Sequence, residues 1–104
     1  GDLMGAREEL RAALLVEPDN IAMLYQSALV SYRLGEYLSA RAFLERMFGT
    51  GNASAEGLLL AVYTERKLGA DSLAAEYAAK LRWSYPGSEQ IRQLDGLMSD
   101  NADG

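Results

Sequence analysis

The stretch RLGEYLSA, residues 33–40, recurs 34 positions later as KLGADSLA, residues 67–74. Both copies keep a Leu-Gly pair and a final alanine. Proline follows the same spacing, because Pro18 and Pro86 are separated by twice that interval. Three residue types that recur at one period, in the order Gly, Ala, Pro, indicate an internal repeat. A repeat of this length decides the architecture before any local feature does, because each repeat is one supersecondary unit.

A period of 34 residues is that of the tetratricopeptide repeat, whose unit is a pair of helices. In such a unit Gly35 and Gly69 are expected to end the first helix in a left-handed conformation, which glycine adopts without a side-chain clash. A small residue near the start of the second helix lets the two helices cross closely. That residue is Ala6, Ala40 or Ala74. A proline just past the second helix blocks its continuation.

The phase of the repeat predicts an all-α chain of tetratricopeptide helical hairpins, stacked as a short right-handed solenoid of about six helices. The paired helices are expected at about 3–16, 21–33, 37–48, 54–68 and 72–84. The array should cover residues 1–98, as a half repeat over 1–18, repeats over 21–52 and 55–86 and a capping helix over 88–98, followed by a disordered tail over 99–104. Asn20 and Ser88 are the expected N-caps.

The composition narrows the chemistry that the chain can perform. Its 104 residues are 49% hydrophobic and 24% charged, carry a net charge of −5, and include neither cysteine nor histidine. The missing residue types exclude thiolate nucleophiles, disulfides, imidazole bases and the usual zinc ligands. The acidic balance argues against nucleic acid, since phosphates bind basic surfaces. We therefore expect no nucleic-acid partner, no cofactor and no metal.

Local motifs do not indicate catalysis. REEL at 7–10 lies on a predicted exposed helix and lacks a second catalytic residue type, so acid–base chemistry is not expected. GTGN at 49–52 joins two predicted helices and follows no strand, which is typical of a linker rather than a phosphate-binding loop. The longest apolar run, GLLLAV at 57–62, is too short to span a bilayer. The sequence predicts a protein that is not an enzyme.

The first helix of each repeat should line the concave surface of the solenoid, where such arrays bind partners. The predicted partner-binding residues are Tyr25, Leu29, Tyr32, Arg33, Leu59, Tyr63, Arg66 and Lys67. The apolar ones would form a strip that favours a peptide or protein partner, and the basic ones would favour an acidic or C-terminal segment. For any one residue, core packing of the ring or solvation of the charge is the alternative. The expected core positions are Leu24, Ala28, Leu58, Ala61 and Val62.

Two other apolar features carry expectations. The first helix presents Leu10 and its neighbours without the preceding helix that would cover them, which predicts self-association. Trp83 lies near the end of a predicted helix, and we expect it to pack with Tyr85 on the closing helix.

Residues 56–94 carry a closer resemblance than the general repeat does. They contain a leucine run, a Leu-Gly helix end, an Ala-Ala pair followed by tyrosine and leucine, and an aromatic-Pro-x-Ser motif followed by glutamate. These residues are Leu58, Leu59, Leu60, Leu68, Gly69, Ala74, Ala75, Tyr77, Leu81, Tyr85, Pro86, Ser88 and Glu89. The stretch resembles the C-terminal end of the type IV pilus biogenesis lipoproteins PilF and PilW. Tyr85 stands where that family usually has phenylalanine, and Ala61 where glycine is common.

The resemblance implies a pilotin, which is a periplasmic, outer-membrane-anchored scaffold that binds secretin subunits and helps them assemble. The family's lipid-bearing cysteine matches no residue here, so we expect a soluble fragment of a periplasmic, outer-membrane-associated protein. The alternative is a tetratricopeptide module from a larger multidomain protein, which could be an enzyme. A chaperone-type clamp for a terminal carboxylate is disfavoured, because Ala22, Gln26 and Leu29 occupy the places of its Lys/Asn pattern.

Overall fold

Six helices make up the computed structural model, which describes the backbone of residues 2–103 and the side chains of residues 2–97. They are α1 (Leu3–Val16), α2 (Ile21–Arg33), α3 (Tyr37–Gly49), α4 (Ala55–Lys67), α5 (Asp71–Ser84) and α6 (Glu89–Asp103). No strand occurs over residues 2–103. The all-α prediction is confirmed, and the first five helices begin and end within one residue of their predicted bounds. None of the helices, as far as the structure describes them, is long and apolar enough to cross a membrane.

The chain divides into two compact units, of which the first contains α1, α2 and α3 and the second α4, α5 and α6. In the first unit α2 contacts both α1 and α3. In the second unit α4 packs on α5, and α6 contacts both of them. The division falls after Ala53, in the segment that joins the two predicted full repeats.

The two repeated glycines end α2 and α4 in the same way. Gly35 has a φ of 79° and Gly69 a φ of 75°, so both are left-handed. After α2, the amide of Gly35 donates to the carbonyl of Tyr32 and the amide of Glu36 donates to the carbonyl of Ser31. The turn after Gly69 repeats this pair of bonds, which is the Schellman pattern that satisfies the last carbonyls of a helix. The predicted role of both glycines is confirmed.

Polar side chains start the helices that the repeat predicts. The Asn20 side chain accepts a hydrogen bond of 3.0 Å from the amide of Met23, at the start of α2. The Ser54 hydroxyl accepts a bond of the same length from the amide of Gly57, at the start of α4. Ser88 precedes α6, and its hydroxyl accepts from an amide of the first turn. Each such cap stabilises its helix by about 1 kcal/mol.

The core of each unit is built at helical spacing. In the first unit its buried apolar residues are Leu14, Leu24, Ala28, Val30, Ala40, Leu44 and Met47. In the second unit they include Leu58, Ala61, Val62, Ala74, Ala78, Leu81 and Leu94. All five core positions predicted from the sequence are buried. Ala40 is fully buried and Ala74 nearly so, as a close helix crossing requires, whereas Ala6 is half-buried.

The closing helix is longer than predicted. α6 continues to Asp103, past the predicted end at 98 and into the predicted disordered tail over 99–104. Neither proline nor glycine lies between Leu97 and Asp103, so no residue blocks the helix there. Gly104 is outside the described residues. Leu94 is fully buried in this helix, which also forms an ion pair between Asp95 and Arg82 of α5.

The expectation for Trp83 is wrong. Its side chain is 88% exposed, so it does not pack on α6, whereas Tyr85 is half-buried. The reason is the phase of α5, whose buried residues are Ala74, Ala78 and Leu81. Trp83 lies two residues beyond Leu81, a rotation of about 200° around the helix, and therefore points away from the core.

Candidate functional site

The first part of the predicted partner surface lies on α2. Tyr25, Leu29 and Tyr32 are half-buried and Arg33 is exposed. Tyr25, Leu29 and Tyr32 are spaced by four and three positions, so they share one face of the helix, and Arg33 lies at the edge of that face. The face presents tyrosine rings and a leucine along the helix and a positive charge at its C-terminal end.

The ring of Tyr32 is held by a neighbour at the start of α3. Its centroid lies 5.3 Å from that of Tyr37, and the planes meet at 63°. This edge-to-face arrangement is favourable, because the positive edge of one ring meets the negative face of the other. The pair fixes the aromatic end of the α2 face beside the turn at Gly35.

The second part of the predicted surface lies on α4 and is smaller than expected. Tyr63 and Arg66 are half-buried and Lys67 is exposed, but Leu59 is only 6% exposed. Leu59 is therefore a core residue, and the prediction that it faces a partner is wrong. The leucine run at 58–60 is buried on every side of the helix, so the phase of α4 alone could not separate core from surface there.

The two parts belong to different units, α2 to the first and α4 to the second. Each part has the same layout within its own helix, with tyrosine in the body and a basic residue in the last turn. The candidate surfaces are two: Tyr25, Leu29, Tyr32 and Arg33 on α2, and Tyr63, Arg66 and Lys67 on α4. We call these the α2 face and the α4 face.

The basic residues of both faces also have a structural role. Arg33 lies in the last turn of α2, and Arg66 and Lys67 lie in the last turn of α4. The C-terminal end of a helix carries a partial negative charge, and a cation there contributes about 0.3–1 kcal/mol. Arg46 and Arg82 occupy the same place in α3 and α5. The sequence position of these charges therefore does not by itself identify a binding site.

The exposure of several side chains differs from what the sequence predicts or was not predicted from it. Leu15 and Val16 of α1 are 81% and 82% exposed, whereas Leu10, the residue predicted to be uncovered, is half-buried. Leu10 and Leu14 lie on the side of α1 that faces the first unit's core. The uncovered apolar surface is that of Leu15, which follows Leu14 and points to a different side of the helix. Glu65 of α4 is 1% exposed, and no sequence pattern distinguishes it from the solvated charges.

Among the residues that the structure describes, no three acidic side chains lie close enough together to bind a metal ion. The chemistry available on the α2 and α4 faces is that of recognition: tyrosine rings, aliphatic surface and guanidinium or ammonium groups. Such groups pack against and pair with a second macromolecule.

Paired helices with a period of 34 residues, ended by left-handed glycines, define a tetratricopeptide-like all-α fold. The chain is similar to the solved structure of PilF from Pseudomonas aeruginosa, with a TM-score of 0.76 and 23% sequence identity. The likeness covers 86% of this chain and 40% of the PilF chain, so this chain spans less than half of PilF. It confirms, at the level of the fold, the resemblance to PilF stated from residues 56–94. No protein-family model matches the sequence, and no curated protein matches it.

Proposed function

We propose that the chain is a protein-interaction scaffold of the tetratricopeptide type, which acts in type IV pilus biogenesis. The observation that carries the proposal is the likeness to PilF over 86% of the chain. The resemblance of residues 56–94 to the PilF and PilW lipoproteins supports the same role. The proposed partner is a secretin subunit, and the proposed setting is the periplasmic side of the outer membrane, reached in the full-length protein.

The α2 face and the α4 face are each a proposed contact surface. Tyrosine and arginine are the residues that contribute most at protein interfaces, since they offer a large apolar area together with a polar end. Arg33 and Lys67 are exposed, so a partner can pair with both charges. These cations on a chain of net charge −5 favour a segment of the partner that carries carboxylates.

Co-purification tests the proposal. The full-length protein is expressed with an affinity tag in its own organism, and the detergent-solubilised envelope is scored for the secretin. We expect the secretin to be retained by the wild-type protein and lost with the double variant Tyr63→Ala, Arg66→Ala. Arg92→Ala is the matched control, because Arg92 is an exposed arginine of α6 that pairs with Glu89 of its own helix.

A folding control and two contradicting outcomes complete this test. Circular dichroism must show that the double variant is folded, since both residues are half-buried. Retention of the secretin by the double variant at the wild-type level would remove the α4 face from the proposal. Failure of the wild-type protein to retain the secretin would favour the second candidate, a general tetratricopeptide module of a larger protein.

A further inference from the structure

A groove runs between α1 and α3 in the first unit, and no residue of the α2 face lines it. It has a volume of about 420 Å³, which is within the range of ligand-binding clefts. The residues that line it are Arg11, Leu14, Leu15, Pro18, Phe43 and Arg46. α1 and α3 thus form its walls, and the turn after α1 closes one end.

The groove is positively charged in a negatively charged protein. Both charged residues that line it are arginines, Arg11 on α1 and Arg46 on α3. The side chain of Arg11 is 66% exposed, and its ion-pair contact is an exposed one of 3.8 Å with Glu8. Arg46 donates a 2.6 Å hydrogen bond to the carbonyl oxygen of Pro18, which places its guanidinium at the end of the groove. Two arginines across one cleft attract carboxylates.

The walls between the arginines are apolar. Leu15 is 81% exposed, Phe43 is half-buried and Leu14 is buried at the base. A leucine left in water forgoes the stabilisation that burial of its side chain would bring. The groove therefore suits a segment that places a large apolar side chain beside an acidic one.

A second cavity adjoins the groove and shares Arg11 and Phe43 with it. It measures about 80 Å³ and is also lined by Arg7, Ser27, Ser31, Glu36 and Ser39. Arg7 and Glu36 form an ion pair across it. The Glu36 carboxylate, by accepting a hydrogen bond from Arg7, raises the pKa of the Arg7 guanidinium above its ordinary value, so Arg7 stays charged.

Ser27 gives an independent indication of a ligand. It is 5% exposed, it lines the second cavity, and its hydroxyl oxygen has no hydrogen-bond partner among the described residues. A serine inside a helix can satisfy its hydroxyl with the carbonyl one turn earlier, but Ser27 does not. Because an unpaired buried hydroxyl is costly, a bound acceptor oxygen at this position would stabilise the site.

We propose that the α1–α3 groove and its adjoining cavity bind an acidic amphipathic segment of a partner protein. Carboxylates of the segment pair with Arg11 and Arg46, an apolar side chain covers Leu15 and Phe43, and a carboxylate or carbonyl oxygen accepts a hydrogen bond from Ser27. The groove and cavity share no residue with the α2 and α4 faces, so they form a further docking site beyond the proposed function, and either proposal can fail without the other.

The test uses the chain of residues 1–104 and a fluorescein-labelled peptide that alternates Glu with Leu and Phe, with a Lys-for-Glu peptide as the charge control. Fluorescence anisotropy should show binding of the Glu peptide alone, weakening as salt screens the charges. Amide resonances of Leu15, Ser27 and Phe43 should shift on titration. Arg11→Glu should weaken binding roughly tenfold, and Arg92→Glu on α6 should leave it unchanged.

Ser27→Ala separates a binding role from a structural one. It removes an unpaired hydroxyl, so the variant should be at least as stable as wild type while binding the Glu peptide several-fold more weakly. No binding of the Glu peptide at low salt, or equal effects of Arg11→Glu and Arg92→Glu, would overturn the proposal. A dimer seen by analytical sedimentation would also overturn the proposal if Leu15→Glu abolished the dimer and the dimer did not bind the peptide. The groove would then hold a second copy of the chain.

Discussion

Arg46, in the last turn of α3, donates a hydrogen bond to the carbonyl oxygen of Pro18, in the turn between α1 and α2. The bond joins two segments of the first unit that are 28 residues apart in sequence. Replacement of Arg46 by Met keeps the length of the side chain but removes the donor and the cation. We expect the free energy of unfolding to fall by about 1 kcal/mol, measured by urea denaturation.

Arg11→Met is the control for that measurement. Arg11 also lies at the α1–α3 groove, but it forms an exposed 3.8 Å ion pair with Glu8 on the same helix rather than a bond to another segment. Its replacement should change the free energy of unfolding by less than about 0.5 kcal/mol. Equal losses for the two variants would mean that the bond to Pro18 does not stabilise the unit.

A side chain at Gly35 is expected to lower the stability of the protein for a backbone reason alone. Its φ is 79°, and a Cβ built there would meet no atom within 4 Å. Gly35→Ala should therefore lower the free energy of unfolding by roughly 1–2 kcal/mol through the strain of a left-handed alanine. Gly96→Ala is the matched control, because Gly96 lies inside α6 with equally open space and should gain about 0.5–1 kcal/mol. A loss at both positions would argue against the left-handed turn.

The close crossing of α2 and α3 depends on the size of residue 40. Ala40 is fully buried, whereas Ala42 on the same helix is exposed. Ala40→Leu should cost roughly 1–3 kcal/mol, because the larger side chain forces the helices apart. Ala42→Leu adds the same atoms in water and should be close to neutral. Thermal unfolding measures the difference. Equal melting temperatures for the two variants would contradict the close crossing of α2 and α3 at Ala40.

Trp83 reports on the outward face of α5. With 88% of its side chain exposed, its fluorescence should resemble that of tryptophan in water and be quenched readily by acrylamide and iodide. Unfolding in urea should then change the emission wavelength little. A blue-shifted emission that iodide cannot quench would show that Trp83 is covered, in contradiction to its exposure in the structure.

The repeat made most of the fold predictable. Gly35, Gly69, Pro18 and Pro86 mark helix ends by their backbone chemistry, which depends on few neighbours, so five helices were placed within one residue. The end of α6 was missed because residues 99–103 are mostly poor helix formers but include neither proline nor glycine, the residues that stop a helix. Local chemistry therefore predicts well where Gly or Pro ends a helix. It predicts poorly how far a helix continues through residues of low helix propensity.

The binding surface was harder to predict, because helical phase shows which residues share a face but not what covers the face. Leu59 shares a face with Tyr63, yet it is buried. Leu15 lies one position from buried Leu14 and is exposed. The groove between α1 and α3 joins residues more than 25 positions apart, and only the packing of the first unit brings Arg11 near Arg46.

The proposed role as a secretin-binding scaffold is tested by a titration of the purified secretin against the full-length protein. Arg33→Glu with Lys67→Glu reverses two exposed charges at helix ends, where the cost in stability is about 1 kcal/mol or less for each. We expect Kd to rise at least tenfold for this double variant and to be unchanged for Arg92→Glu. An unchanged Kd for the double variant, or equal weakening by Arg92→Glu, would contradict the proposal that these charges bind the secretin.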